Sequence, residues 1–448
     1  MDNFDYDLFV VGAGSGGIRA AKVSAAYGAR VAVAEEHRIG GTCIIRGCVP
    51  KKLLVYGAHF AEDLIDAGRF GWDVRKPEFH WPILRDAVAS EVDRLERVYS
   101  STLENDGVEI IRERATVIGP NQIQLASGRE IGAGVILIAT GAWPAIPDVP
   151  GAQMGITSNE VFDLAALPER AVIAGAGYIA NEFAGIFNAL GVEVTLVTRG
   201  DQMLRGYDQE IRDKLLEISS AKGINYRFGF PLESVVKLES GSLLIDGGDM
   251  GSLETDMLMF AIGRIPNTMG LGLAAAGVTL DKDGAVVVGN DNRSSVSSIY
   301  AVGDVTNRVQ LTPVAIREGQ AFADSVFGNT PSTVGYSAIP SAVFSSPPLA
   351  GVGLTEADAR AQFGTIRVYK SDFRPMKNVL AGRDERAFYK MVVDAQTDRV
   401  LGIHMIGPDA PEILQAAAIA VKAGLTKRDF DETTALHPSM AEELVLMK

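Results

Sequence analysis

Cysteine is scarce: the 448-residue chain holds two, Cys43 and Cys48, in one short segment. A secreted disulfide framework uses more of them, spread more widely, so that class is excluded. Five histidines and one close cysteine pair also leave too few ligands for a metal shell, and no metal is expected. Positive charge is short as well. A net charge of -14 lacks the surplus of Lys and Arg that a nucleic-acid backbone requires. No apolar run approaches the roughly 18 residues of a membrane span, and the acidic start MDNFDYD has no basic n-region. The expectation is a cytoplasmic chain with no membrane and no nucleic-acid partner. What is present, 47% hydrophobic and 22% charged residues with 48 glycines, is the profile of a folded, turn-rich protein. Its length points to about three folding units.

Asp7 to Val11 is apolar, followed by Gly12, Ala13, Gly14, Ser15, Gly16 and Gly17, a helical pattern through Ala26, and the apolar run Val31 to Ala34. This is a strand, glycine turn, helix and strand. The layout recurs at Ala171 to Ala174, with Gly175, Ala176 and Gly177, a helix to about Leu190 and the strand Val194 to Val197. A charged helix is expected over Val88 to Asn105 and apolar strands at Val135 to Ala139, Met257 to Ile262 and Tyr300 to Asp304. Pro144, Pro147 and Pro150 mark one boundary, and Gly263 with Pro266 marks the next. From about Gly335 strands such as Ile366 to Tyr369 and Phe388 to Val393 mix with helices near Glu412 to Ala423, an α+β pattern. The expected fold is α/β, with two Rossmann-like dinucleotide-binding domains and a C-terminal α+β domain. The expected division is 1–143 and 265–334 for the first nucleotide domain, 144–264 for the second and 335–448 for the last.

A lone glycine fingerprint is a weak signal, but here each copy has its strand and helix. In the first, Gly12 and Gly14 let a pyrophosphate approach the helix N-terminus and Gly17 lets the helix pack on the strand; Glu35 closes the second strand, where a carboxylate accepts from ribose hydroxyls. In the second, Ala180 replaces the third glycine, and Arg199 and Arg205 stand where an acidic residue would read an NAD ribose. Those cations suit a 2′-phosphate, so NADPH is expected over NADH. Two nucleotide folds in one chain allow hydride to pass from a nicotinamide to a flavin, which assigns FAD to the first site. Thr140-Gly141 and Gly303-Asp304 follow apolar strands as turns over such a cofactor, with Asp304 a partner for ribitol hydroxyls.

The segment GGTCIIRGCVPKK spaces Cys43 and Cys48 about one helical turn apart, within reach of an intramolecular disulfide. Arg46, Lys51 and Lys52 are expected to favour the thiolate, the species that attacks disulfides. Thiol exchange also needs a proton donor. Of His37, His59, His80, His404 and His437, the last stands out because Glu442 follows it five residues later in HPSMAEE, although a surface histidine reads equally well from the residues alone.

GGTCIIRGCVPKK, GAGSGG, GAGYIA, AIGRIPNT at 261 to 268, YAVGD at 300 to 304, LTPVA at 311 to 315 and HPSMAEE at 437 to 443 together resemble the glutathione reductase family, over essentially the whole chain. IIRGCVPKK and Arg19 are similar to its plant and proteobacterial form. The resemblance implies a homodimeric flavoprotein oxidoreductase that joins through the C-terminal domain, with the active site shared between subunits. It implies that Cys43 attacks glutathione disulfide, that Cys48 faces the flavin, and that His437 is the acid/base held by Glu442. It pairs Lys51 with Glu182 beside the flavin and puts Tyr178 over the nicotinamide pocket. Gly16, Gly41, Thr42 and Thr312 join the FAD contacts, and Gly263 and Arg264 the NADPH contacts. Ser15, Tyr99 and Thr312 align with substrate contacts. The arginine that many members carry eight residues after this threonine is Gln320 here, and Arg19 or Arg317 is expected to compensate.

The implied activity is NADPH-dependent reduction of glutathione disulfide. Glutathione-amide or trypanothione-like disulfides stay open at Gln320. A dihydrolipoamide dehydrogenase shares the cysteine and histidine logic but prefers NAD, against Thr198 and Arg199. Mercuric reductase is disfavoured by the lack of a C-terminal cysteine pair before Lys448. A redox-inactive nucleotide-binding flavoprotein would have no use for the cysteine pair.

Overall fold

The computed structural model describes residues 4–75 and 77–448; residues 1–3, part of the acidic start, and residue 76 lie outside it. Strand β1 (Tyr6–Val11) is almost wholly buried and β2 (Val31–Ala34) entirely so, as strands covered on both faces must be. They pair in parallel, Leu8 opposite Val31, on either side of helix α1 (Ser15–Ala26). The sheet runs Glu109–Ile111, β2, β1, Glu130–Ile138, with Ile299–Ala301 parallel on the far side of that last strand. The order reverses at β1, so the carboxyl ends of β1 and Glu130–Ile138 open the crevice where ligands bind such sheets. Gly17 sets the spacing: a Cβ there would lie 2.1 Å from the Gly12 carbonyl, so no other residue lets α1 sit this close. Leu8 and Phe9 are fully buried on opposite faces of the strand; truncating Phe9 to Ala would cost about 3–5 kcal/mol.

Between the first two strands and the rest of this sheet lie α2 (Gly41–Ile45), α3 (Cys48–Ala67) and α4 (Trp81–Asn105). Helix α4 begins seven residues earlier than the charged pattern suggested, because Pro82 sits in its first turn, where a missing N–H costs nothing. The second unit is a five-stranded parallel sheet, Asn225–Phe228, Glu193–Thr198, Arg170–Ala174, Met257–Phe260 and Ile156–Thr157, with α5 (Tyr178–Ala189) crossing from Arg170–Ala174 to Glu193–Thr198 and α6 (Gln209–Ala221) from there to Asn225–Phe228. The chain enters and leaves this unit through two short antiparallel strands, Ala142–Pro144 and Arg264–Pro266. After it, α7 (Thr312–Val326) returns to pack on α1, Gly319 against the Gly16 carbonyl.

The remaining unit is an antiparallel sheet in the order Ser341–Val343, Leu349–Gly353, Val400–Ile406, Ala387–Asp394 and Ile366–Phe373, with the helix Ala410–Ala423 against it. The observed α/β architecture with a C-terminal α+β unit is the one the sequence led us to expect. The two strands expected here run longer than their apolar cores: Ile366–Phe373 continues through Lys370, Ser371 and Asp372, and Ala387–Asp394 adds one residue at each end, because the two pair antiparallel along their whole length. Among the described residues no helix is long and apolar enough to cross a membrane, and no cluster of three or more His, Cys, Asp or Glu is placed to hold a metal ion.

Candidate active site

A cavity of about 1500 Å³ opens at the carboxyl ends of the first sheet and is shared by all three units. Gly12, Gly14, Ser15 and Gly16 form one wall. No side chain caps the N-terminus of α1, which leaves its first N–H groups directed at this wall and ready for an anion. Glu35, at the end of β2, folds over the glycine turn: its Oε2 accepts from the Ala13 N–H at 2.9 Å and its Oε1 from the His37 N–H at 2.9 Å. Gly41, Thr42, Thr140, Gly141, Gly303, Asp304 and Thr312 line the same space. Burial holds the Asp304 carboxyl above its usual range, with Arg264 opposing. An elongated cavity with an anion-accepting helix end, a carboxylate at the ribose end and a second carboxylate further along fits an adenine dinucleotide of the FAD kind. Gly17 lies behind the wall as packing.

Cys43 and Cys48 sit on the cavity lining, on two helices rather than one, because the chain breaks at Arg46 and Gly47 between α2 and α3. Cys43 is half-buried and Cys48 opens onto the cavity. Their side chains share a hydrogen bond and titrate as a pair. That bond, with burial, raises Cys43; the same bond lowers Cys48 to about 6, with the Thr312 hydroxyl and Lys51 adding to it and burial opposing. Thr312 Oγ1 is 3.8 Å from Cys48 Sγ. Both shifts favour the thiolate on Cys48 over the thiolate on Cys43.

The three basic residues of this segment divide their work differently from the expectation. Lys51 alone of them acts on the thiols. The Arg46 guanidinium instead stacks over the Trp143 ring at 4.4 Å, on the entry strand Ala142–Pro144. Lys52 lies over the Phe344 ring at 3.7 Å. Sequence adjacency does not set side-chain direction, and Arg46, at the break between two helices, turns onto Trp143.

Lys51 Nζ lies 2.7 Å from Glu182 Oε1, the two carried by α3 and α5. Tyr178 and Glu182, one turn apart at the start of α5, both line the cavity, as does Arg264. Gly175, Gly177 and Ala180 build the second glycine turn beneath α5, whose N-terminus is also uncapped by any side chain. Gly263, at φ +132°, leads into the exit strand. Arg199 and Arg205 are exposed beyond the end of strand Glu193–Thr198, outside the cavity lining. An uncapped helix end, with two exposed arginines beyond the neighbouring strand, fits a phosphorylated nucleotide such as NADPH.

Of the substrate candidates, Ser15, Thr312 and Arg317 reach the cavity. Tyr99 packs on α4 beside Ile44 and Ile45. Arg19 turns to α7, where its Nε donates to Gln320 Oε1 at 2.7 Å, while Gln320 Nε2 donates to Asp324 at 2.6 Å. His437 is about 80% exposed, 3.1 Å from Glu442 Oε2 through Nδ1, and neither residue borders the cavity of its own chain.

Several buried charges escaped the sequence reading, Asp66, Asp208, Asp394 and Lys427 among them, and two stand out. Glu318 on α7 accepts from the Gly303 N–H at 2.6 Å and from the Tyr336 hydroxyl at 2.6 Å, so it fixes the turn that carries Asp304. A signal existed: Glu318 falls between Ala315 and Phe322 on the small, apolar face of its helix, where a charge needs partners. The other, Lys390, gives no such sign.

The chain matches the model of the pyridine nucleotide-disulphide oxidoreductases over residues 6–319 and that of their dimerisation domain over 339–448. It is 49% identical to a glutathione reductase of Burkholderia cepacia across 100% of this chain and 99% of that one. It is 47% identical to a glutathione reductase of a Nostoc species, across 99% of this chain and all of that one. Against the chloroplastic/mitochondrial glutathione reductase of Pisum sativum it is 44% identical across 99% of this chain and 82% of the relative. The chain belongs to the pyridine nucleotide-disulphide oxidoreductase family and, within it, to the glutathione reductases.

Proposed function

We propose that this chain catalyses the NADPH-dependent reduction of glutathione disulfide to two molecules of glutathione, as a homodimer whose sites are shared between subunits. The observation that carries the reading is the unequal thiol pair, Cys48 lowered to about 6 beside Lys51 and Cys43 raised, on the wall of a cavity bounded by both glycine turns. The reading keeps the division into 1–143 with 265–334, 144–264 and 335–448. It also keeps a cytoplasmic setting, where a close pair of cysteines is more often redox-active than structural.

Bound FAD supplies the hydride acceptor and the two electrons that open a Cys43–Cys48 disulfide. Gly12, Gly14, Ser15, Gly16, Glu35, Gly41, Thr42, Thr140, Gly141, Asp304 and Thr312 hold it, with Glu318 fixing the Gly303 turn. Gly175, Gly177, Ala180, Gly263 and Arg264 would hold NADPH, Arg199 and Arg205 would meet its 2′-phosphate, and Tyr178 would cover the pocket before it enters. Lys51, held in place by Glu182, favours negative charge at the Cys48 end.

Cys43, whose own proton is held by burial and by Cys48, needs a base. The partner subunit's His437 takes that proton, its ring oriented by Glu442. The Cys43 thiolate attacks one sulfur of the bound disulfide, the S–S bond breaks, and His437 returns the proton to the leaving glutathione. Cys48 then attacks the Cys43 sulfur of the mixed disulfide, the second glutathione leaves as a thiolate and takes up a proton, and the Cys43–Cys48 bond is restored. Ser15, Thr312 and Arg317 contact the substrate, with Tyr99 behind the redox helices and Arg19 held at the outer edge by Gln320. Side-by-side oxidation of NADPH and NADH with glutathione disulfide, its amide and lipoamide tests the reading. Fast turnover with NADPH and glutathione disulfide is expected; preference for NADH with lipoamide would replace it.

A further inference from the structure

Lys390 is the least expected cation in the molecule. It lies in the middle of strand Ala387–Asp394 of the C-terminal sheet and is 1% exposed. Its Nζ meets three carboxylates, Asp208 Oδ1 at 2.9 Å, Glu210 Oε2 at 2.7 Å and Glu356 Oε2 at 2.7 Å. Lys370 shares Glu210 and Arg360 shares Glu356, each at 2.7 Å, so three cations balance three anions. A buried charge set of this kind is weak evidence for stability, since well-packed apolar residues commonly do as well. Its value here lies in what it grips.

Asp208 caps α6 through the Glu210 N–H and ends the loop that begins at Arg199. That loop is held along its length. The Leu204 N–H donates to the Ala176 carbonyl, inside the second glycine turn, at 2.8 Å. Met203 and Leu204 are buried against Val343, Leu349 and Ile406 of the C-terminal sheet. The Arg205 guanidinium folds back over Gly200, where a Cβ would come within 2.8 Å of its Nη2. The loop bearing both arginines is thus seated on the C-terminal unit, and its far end is clamped by Lys390.

We propose that Lys390 is a positioning residue for coenzyme selection: from the C-terminal unit, through Asp208, it fixes the Arg199–Tyr207 loop so that Arg199 and Arg205 meet the 2′-phosphate. The proposal rests on the NADPH reading above. It predicts a defect confined to the phosphorylated coenzyme. Lys390→Met and Asp208→Asn should each raise KM for NADPH about tenfold, the scale of a lost positioning contact, with kcat within about twofold and KM for NADH unmoved. Asn retains the cap of α6, so Asp208→Asn carries the test if Lys390→Met fails to fold. Glu356→Gln alters a side chain that touches Lys390 but keeps the backbone N–H that donates to Asp208 Oδ2 at 3.1 Å, and should leave KM for NADPH unchanged. Combining Asp208→Asn with Arg205→Ala should add little to Arg205→Ala alone.

Arg205→Ala separates the two ideas. If it raises KM for NADPH while Asp208→Asn and Lys390→Met do not, or if those two raise KM for both coenzymes equally, the positioning role is overturned and the coenzyme reading stands. If the wild-type enzyme prefers NADH, or Arg205→Ala and Arg199→Ala leave NADPH use untouched, the coenzyme reading itself falls and the positioning role with it.

Discussion

Lys51 and Glu182, 2.7 Å apart and both buried, join the helix that carries Cys48 to the helix that begins at the second glycine turn. Glu182 Oε1 also accepts from the Phe344 N–H at 2.9 Å, and the Lys51 ammonium lies 4.2 Å from the Phe344 ring centre, so the three units meet at one pair. Removing one partner strands a buried charge. Glu182→Ala should cost about 3–5 kcal/mol, and Lys51→Met with Glu182→Leu should recover most of it. Thermal unfolding of the single and double variants at one protein concentration measures this; equal losses in both would show that the pair contributes packing only.

The Cys48 thiol titrates below its ordinary 9.0, at about 6, because its charged form is the one that accepts hydrogen bonds from Cys43 and Thr312 and faces Lys51. A lowered thiol is ionised above that midpoint and protonated below it. The ultraviolet thiolate signal of the reduced protein should therefore fall as the pH drops through about 6. Thr312→Val and Lys51→Met should each move the midpoint upward. A midpoint unmoved by both would assign the shift to Cys43 alone.

Arg317 borders the cavity while Arg19 is engaged by Gln320. Arg317→Ala should raise KM for glutathione disulfide about tenfold, one charge-assisted contact, and leave KM for NADPH unchanged. Arg19→Ala should do less. The opposite ranking would mean that Gln320 presents Arg19 to the substrate.

His437 and Cys43 of one chain do not face a common cavity, which makes subunit mixing informative. Cys43→Ser and His437→Ala proteins should be nearly inactive alone. Unfolded together and refolded, they should regain roughly a quarter of the wild-type sites, because each mixed dimer rebuilds one complete site. No recovery would place both groups in one subunit.

The nucleotide folds were legible because strand, glycine turn and helix signal locally, and the residues from Gly12 to Glu35 act within one such unit. Cys43 and Cys48 were legible for the same reason. The direction of Arg46 was not, since a two-residue break between α2 and α3 turns its side chain onto Trp143. The start of α4 was hidden by Pro82, and α7 by a run of small residues whose meaning is its contact with α1. Lys390 was beyond reach, because its partners lie some 30 to 180 residues away in the chain and no local pattern announces them.

The unequal division of labour between the two thiols is tested most directly by trapping the mixed disulfide. Reduced Cys48→Ser protein, given glutathione disulfide, should take up one glutathionyl group on the peptide that carries Cys43. The Cys43→Ser protein should take up none at Cys48 and should not turn over glutathione disulfide with NADPH. Glutathionylation at Cys48, or continued disulfide reduction without Cys43, would contradict the account.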